Sequence, residues 1–152
     1  MQALIIYFSL TGNTYRAAKY IAKGLEEENV VVTRINVRKA KIEDIANKDI
    51  IVIGTPTWMG APAMEIRRFL NKLPDNALKN KKVAAFTTYT LMGSETTLST
   101  IEEVVRDKGA TIVIPGLARR YSILRNLWNT ITGSTKDEEA WAAFGKLIVT
   151  FK

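Results

Sequence analysis

The chain has 152 residues and a formal net charge of +7, from 22 Lys+Arg against 15 Asp+Glu, and it contains no Cys and no His. This length is typical of one domain, so we expect residues 1–152 to fold as a single unit. Without Cys or His, the chain offers no disulfide, thiolate nucleophile, haem-ligating His or Ser–His–Asp triad, and we expect no metal site. Any redox chemistry would therefore need a bound organic cofactor.

Apolar, β-rich runs alternate with stretches of helical spacing along the chain. The predicted strands are residues 3–8, 30–37, 50–53, 83–87 and 111–114. The predicted helices are residues 15–28, 62–73, 96–108 and 137–149, with a weaker one at 41–47. This alternation predicts an α/β fold with a parallel sheet covered by helices on both faces. The first run is too short for a signal sequence or a membrane span, so we expect a cytoplasmic protein.

The loop after the first strand combines hydroxyl side chains with a helix start. Its sequence is Ser9-Leu10-Thr11-Gly12-Asn13-Thr14. In open parallel sheets, ligands bind beyond the carboxyl ends of the strands, and free N–H groups at a helix start attract phosphate. The loop lacks the Lys of a Walker A motif, so a monophosphate held by hydroxyls and amides fits it better. The alternative is ordinary helix capping, which needs only one such residue.

Two further loops after strands carry an aromatic residue in an uncharged setting. Trp58 lies in the Gly- and Pro-rich loop of residues 54–62, and Tyr89 lies in the loop of residues 87–94. Each ring could stack on a flat aromatic ligand. The alternatives are a Trp58 that folds back onto the helix predicted at residues 62–73 and a surface Tyr89 with a solvated hydroxyl.

These three loops resemble those of the flavodoxin family, and the resemblance covers nearly the full chain. Residues 9–14 match the family's FMN-phosphate pattern T/S-x-T-G-x-T, and residues 54–60 look like the second FMN loop, with Trp58 at the stacking position. Residues 87–93 correspond to the third loop with a looser pattern. The resemblance implies a three-layer flavodoxin-like sandwich, with a five-stranded parallel sheet of order 2-1-3-4-5, that binds FMN noncovalently.

The resemblance also implies the roles of individual residues. The hydroxyls and amides of the first loop should hold the FMN phosphate, Thr57 and Trp58 should line the flavin ring, and Tyr89 should cover its other face. The Met59-Gly60 peptide should accept a hydrogen bond from reduced flavin, and no side chain should act as a catalytic acid or base. The predicted FMN-binding residues are Ser9, Leu10, Thr11, Gly12, Asn13, Thr14, Pro56, Thr57, Trp58, Met59, Gly60, Thr88, Tyr89, Thr90, Met92 and Gly93.

Two features depart from the family pattern. The chain is basic where the family is usually acidic, which favours acidic redox partners. The segment from Pro115 to Ser134 is longer than in short-chain members and has no acidic residue, and Leu117, Tyr121, Leu124, Trp128 and Ile131 form a stripe of helical spacing. We interpret it as a helix packed on the sheet edge or, alternatively, as a basic surface for an acidic protein or a membrane.

The predicted function is therefore that of a monomeric flavodoxin-like carrier that shuttles low-potential electrons between redox partners. One alternative is an FMN-dependent oxidoreductase of the same fold that acts on a quinone or a protoporphyrinogen, since a similar basic insertion occurs in flavodoxin-fold protoporphyrinogen oxidases. Another is a flavin-free binding module, including a nucleic-acid binder suggested by the sequence pI of about 9.7. No recognised nucleic-acid motif is present, so we expect no specific nucleic acid.

Overall fold

The computed structural model describes residues 1–133 and 135–151, except for the side chains of Ile123 and Asn126. The strands in this part of the chain are β1 (Gln2–Tyr7), β2 (Val31–Asn36), β3 (Ile50–Trp58), β4 (Ala61–Pro62), β5 (Lys82–Tyr89), β6 (Thr111–Ile112) and β7 (Leu117–Arg120). The helices are α1 (Asn13–Glu27), α2 (Met64–Lys72), α3 (Ser94–Asp107), α4 (Ile123–Thr132) and α5 (Lys136–Thr150), and Ile42–Ile45 form a 3₁₀ turn.

The strands form one sheet whose main path is β2-β1-β3-β5-β6, all parallel. This path has the predicted 2-1-3-4-5 order, so the flavodoxin-like fold is confirmed. Two strands were not predicted: β4 pairs antiparallel with β3, and β7 pairs parallel with the upper part of β5. Both additions lie at the carboxyl end of the sheet, where they shape the loops that follow β3 and β5.

Alternate residues of each central strand enter two separate cores. In β1, Leu4 and Ile6 belong to one apolar cluster with side chains of α2 and α3, whereas Ala3 and Ile5 belong to the other with side chains of α1 and α5. Successive strand residues point to opposite faces, so a strand buried on both sides needs apolar residues throughout. The continuous apolar runs in the sequence have this physical cause.

Helices α1 and α5 pack unusually closely on one face of the sheet. A Cβ placed on Gly145 would lie 2.3 Å from the Ile21 carbonyl oxygen, and one on Gly24 would lie 2.0 Å from the Ala142 carbonyl oxygen. Only hydrogen at these two positions allows the helix backbones to approach so closely. The contact therefore joins the carboxyl-terminal half of α1 to α5.

Two predictions for this part of the chain are wrong. Pro62 does not begin the helix predicted at residues 62–73. It lies in β4, where it pairs with Thr57 of β3, and the helix, α2, begins at Met64. The predicted helical stripe does not begin at Leu117, because residues 117–120 form β7. Strand β6 does not continue directly into β7. Pro115 has no N–H to pair with β5, and the Gly116 N–H donates instead to Glu102 Oε1 over 3.1 Å. Ser134, the last residue of the predicted segment, lies outside the described residues.

Candidate functional site

The three loops predicted to bind FMN meet at the carboxyl end of the sheet. Strand register brings them together, because Tyr7 of β1 lies beside Gly54 of β3, and Pro56 lies beside Thr88 of β5. All sixteen predicted residues lie in these loops or at the strand and helix ends next to them. Leu10, Met59 and Met92 extend into solvent at the loop tips.

The first loop presents unpaired donors at the start of α1. Gly12 is the N-cap residue in a left-handed conformation, and no side chain caps the helix. The Ser9 hydroxyl instead accepts the Gly12 N–H over 3.1 Å, which holds the loop in a turn. The first turn of α1 contains no acidic residue, so its free N–H groups and the positive end of the helix dipole suit an anion.

Buried threonine hydroxyls join the loops. Thr14 Oγ1 and Thr88 Oγ1 lie 2.9 Å apart and connect the first loop to the third. Thr87 Oγ1 donates its hydrogen to the Thr55 carbonyl over 2.8 Å. Because its one proton is used there, Thr87 Oγ1 accepts a hydrogen bond from the Thr57 hydroxyl, 2.8 Å away. Because buried hydroxyls without partners are costly, these pairs fix the relative positions of the loops.

Trp58 stands at the edge of the site with an exposed surface. It is 43% exposed, and its ring meets Phe8 edge to face at 5.8 Å between centroids. Phe8 is itself covered by the Arg38 guanidinium, 5.0 Å from the ring centroid. The packing against Phe8 leaves a large apolar surface available for stacking a flat ligand.

A tight hairpin follows Trp58 and touches the third loop. Met59 and Gly60 both have positive φ, 50° and 77°, as the central residues of a type I′ turn require. A non-Gly residue in this conformation costs about 1 kcal/mol. Gly93 lies so close to Gly60 that a Cβ placed on it would be 2.4 Å from the Gly60 Cα. The second and third loops are therefore in direct backbone contact.

Strand β7 supports the third loop from the other side. The Tyr121 N–H donates to the Tyr89 carbonyl over 2.6 Å, and Arg120 Nε donates to the Thr90 carbonyl over 2.9 Å. Tyr89 is half-buried, whereas Leu91 and Met92 at the loop tip are 79% and 80% exposed. The segment that precedes α4 is thus hydrogen-bonded to the predicted cofactor site.

Two carboxylates at the start of α5 bind the nearby arginines. Asp137 accepts from Arg119 Nε and from Arg125 Nη2, each over 3.0 Å, and Glu138 pairs with Arg16 of α1. Partial burial alone would raise the pKa of Glu138, but hydrogen bonds from Arg16 and Tyr20 outweigh it and hold this pKa below its ordinary value. Of the three arginines in the predicted basic segment, Arg119, Arg120 and Arg125, the first and last therefore share the Asp137 carboxylate, which offsets one of their two charges.

The residues present fit FMN. The start of α1, which no side chain caps, suits the phosphate of FMN, and the half-exposed Trp58 suits the flavin ring. The sequence did not single out the supporting side chains Phe8, Thr55 and Thr87. Their signal was weak, because an apolar or hydroxyl residue at a strand end is also ordinary core sequence.

The described residues include neither a cluster arranged to bind a metal nor a helix able to span a membrane. No group of three or more carboxylates in residues 1–133 and 135–151 is arranged to hold a metal ion. None of the helices within those ranges has the length and apolar character needed to cross a membrane.

Comparisons with known proteins agree with this geometry. Residues 5–123 match the family model described as Flavodoxin. A flavodoxin of Maridesulfovibrio salexigens is 33% identical over 121 residues, covering 74% of this chain and 81% of that protein. A NAD(P)H dehydrogenase (quinone) of Bradyrhizobium is 30% identical over 138 residues, covering 74% and 69%. The solved structure of an archaeal flavodoxin superposes with a TM-score of 0.82 at 25% identity, covering 97% and 96%.

Proposed function

The chain belongs to the flavodoxin family, and we propose that the three joined loops at the carboxyl end of its sheet hold the FMN of this electron carrier. FMN, when bound, supplies the redox chemistry that no side chain of this chain offers. The carrier transfers electrons to and from redox partner proteins. The single observation that carries the proposed site is the direct joining of the three loops by the Thr14–Thr88 hydrogen bond and the Gly60–Gly93 contact.

The residues of the site divide by chemistry. The hydroxyls of Ser9 and Thr11, with the amides at the start of α1, hold the phosphate without a cation. Trp58 stacks on the flavin ring, and Tyr89 covers the other side. The Thr14 hydroxyl binds that of Thr88, and the Thr57 hydroxyl binds that of Thr87. These pairs keep the loops at a fixed separation, so they position the site from behind. The remaining predicted residues contribute backbone.

We propose acidic redox partners for this carrier. None of the 15 Asp+Glu residues lies in the three loops of residues 9–14, 54–62 and 87–94, and Glu95 is the acidic residue next to the third loop. Arg120 adds a cation bonded to the third loop. A partner with acidic groups around its own redox centre is attracted to such a surface, and the attraction weakens with salt. The net charge of +7 opposes self-association, so we also propose a monomer with one domain.

Titration of the apoprotein with FMN tests the proposed site. Trp58→Ala should weaken FMN binding at least about tenfold, because the stacking surface is lost. Trp128→Ala is the matched control, since Trp128 is also exposed but lies on α4. Equal FMN affinity of both variants and the wild type would contradict the assignment of Trp58. The cytoplasmic location predicted from the sequence stays a prediction, and cell fractionation tests it.

A second candidate function is a quinone-directed FMN oxidoreductase. The specific observation in its favour is the similarity to proteins named NAD(P)H dehydrogenase (quinone). A protoporphyrinogen-type substrate is the other version of this candidate. Anaerobic reductive titration separates the two functions: two resolved one-electron steps support the carrier, and a single two-electron step supports the oxidoreductase. Steady turnover of a quinone without any partner protein would also favour the oxidoreductase.

A further inference from the structure

Helix α4 turns four large apolar side chains to solvent. Leu124, Leu127, Trp128 and Ile131 are 79%, 58%, 66% and 72% exposed. Their spacing places them on one side of the helix, and we call this surface the α4 face. The predicted packing of this stripe on the sheet edge is therefore wrong for Leu124, Trp128 and Ile131. Contiguous apolar patches on a domain surface generally mark an interaction site.

The surroundings of the α4 face carry positive charge. No Asp or Glu lies between Ile112 and Lys136. Arg119, Arg120 and Arg125 lie in the same segment, and Asp137 is the carboxylate that binds two of them. Arg120 is exposed and uses its Nε to bond the third loop. An apolar face with cations at its margin is the pattern of helices that lie in a membrane interface.

We propose that the α4 face docks this protein on an anionic membrane surface, an inference that rests on the proposed carrier function and adds where it operates. The indole of Trp128 and the neighbouring aliphatic side chains enter the headgroup region. The guanidinium group of Arg120, which Asp137 does not bind and which uses only its Nε to bond Thr90, meets lipid phosphates. The apolar face and the charged margin thus each have a partner in the same surface.

Two other occupants fit the α4 face less well. A second copy of the chain would bring two net charges of +7 and the same arginines together, which like-charge repulsion opposes. A soluble acidic protein would be attracted by the cations, but Arg119 and Arg125 are already bound to Asp137. Such a protein would also need a separate apolar patch matched to four side chains. A bilayer interface offers both features without such matching.

Docking through α4 places the FMN loops near the membrane. The hydrogen bonds of Arg120 and Tyr121 connect the start of α4 to Thr90 and Tyr89 of the third loop. Leu91 and Met92 at the tip of that loop are also apolar and exposed. The carrier would therefore exchange electrons with a partner at the membrane surface.

Vesicle sedimentation of the FMN-loaded protein tests the proposal. Vesicles contain phosphatidylcholine alone or phosphatidylcholine mixed with phosphatidylglycerol, and the flavin absorbance of the pellet reports bound, folded protein. We expect pelleting with the anionic vesicles. The double variant Trp128→Ser/Ile131→Ser should bind the anionic vesicles at least about tenfold more weakly than the wild type. Val31→Thr is the matched control, because Val31 is 66% exposed on the edge strand β2, and it should bind like the wild type.

The design keeps alternative outcomes separate. A second double variant, Leu124→Ser/Leu127→Ser, should show the same loss if the whole α4 face inserts. Equal pelleting of the wild type and both double variants, or no pelleting with either vesicle, overturns lipid docking. Dimerisation or retention on immobilised polyglutamate, in place of vesicle binding, assigns the face to a second copy or an acidic protein and also overturns it. FMN retained without vesicle binding overturns docking alone, whereas failure to bind FMN overturns the proposed function.

Discussion

The contact between Gly93 and Gly60 predicts a large effect of one added methyl group. Gly93 has φ +89°, and a Cβ on it would lie 2.4 Å from the Gly60 Cα and 2.8 Å from the Gly60 nitrogen. Both obstructing atoms belong to backbone, so no rotamer change can relieve the overlap. In Gly93→Ala the second and third loops must separate by about 1 Å to restore an ordinary carbon–carbon distance.

The expected loss of stability has two parts. The left-handed conformation costs an L-residue about 1–2 kcal/mol. Overpacking against a fixed backbone adds about 1–3 kcal/mol. The lower entropy of the unfolded Ala variant offsets about 0.4–1 kcal/mol. We therefore expect Gly93→Ala to lower the free energy of unfolding by about 1–5 kcal/mol.

Urea unfolding of the apoprotein and titration with FMN measure the two consequences. Gly133→Ala is the matched control, because Gly133 also has a positive φ, +67°, but a Cβ there meets nothing within 4 Å. It should lose only about 1 kcal/mol and bind FMN normally. Gly93→Ala should bind FMN at least about tenfold more weakly, since the separated loops no longer fit the ring. Equal stability and equal FMN affinity of the two variants would refute the proposed loop contact.

Three further predictions concern charge, packing and pH. Arg120→Glu should make the potential of the second FMN reduction step more negative by roughly 30 mV. Arg106→Glu, which lies at the far end of α3, should change this potential less. Equal shifts of the two variants in a potentiometric titration would contradict the prediction. Gly145→Ala should lower the free energy of unfolding in urea by about 2 kcal/mol because its Cβ meets α1, whereas helix propensity alone would raise it. The lowered pKa of Glu138 contributes stability that is present above its ordinary value of 4.5 and lost as the pH falls through the folded-state pKa; Glu138→Gln should remove this acid dependence, and exposed Glu26→Gln should not.

The sequence was sufficient to predict the fold, and it indicated three loops that the structure brings together at one end of the sheet. Continuous apolar runs identify strands buried on both faces, as Ala3 and Leu4 of β1 illustrate by entering opposite cores. The hydroxyl-rich loop and Trp58 indicate the proposed site at the carboxyl end because both are unusual beside a buried strand. Local composition suffices for these features, because strand burial and free N–H groups at a helix start depend on residues that are adjacent in the sequence.

Long-range pairing decided the remaining features. Residues 117–120 have helical spacing but form a strand, because β5 offers unpaired backbone groups that the sequence cannot reveal. The Gly60–Gly93 contact, the Thr14–Thr88 hydrogen bond and the binding of two arginines by Asp137 join residues distant in sequence. The net charge of +7 is evident from composition, but only the tertiary structure decides which cations remain free and that the apolar face of α4 points to solvent.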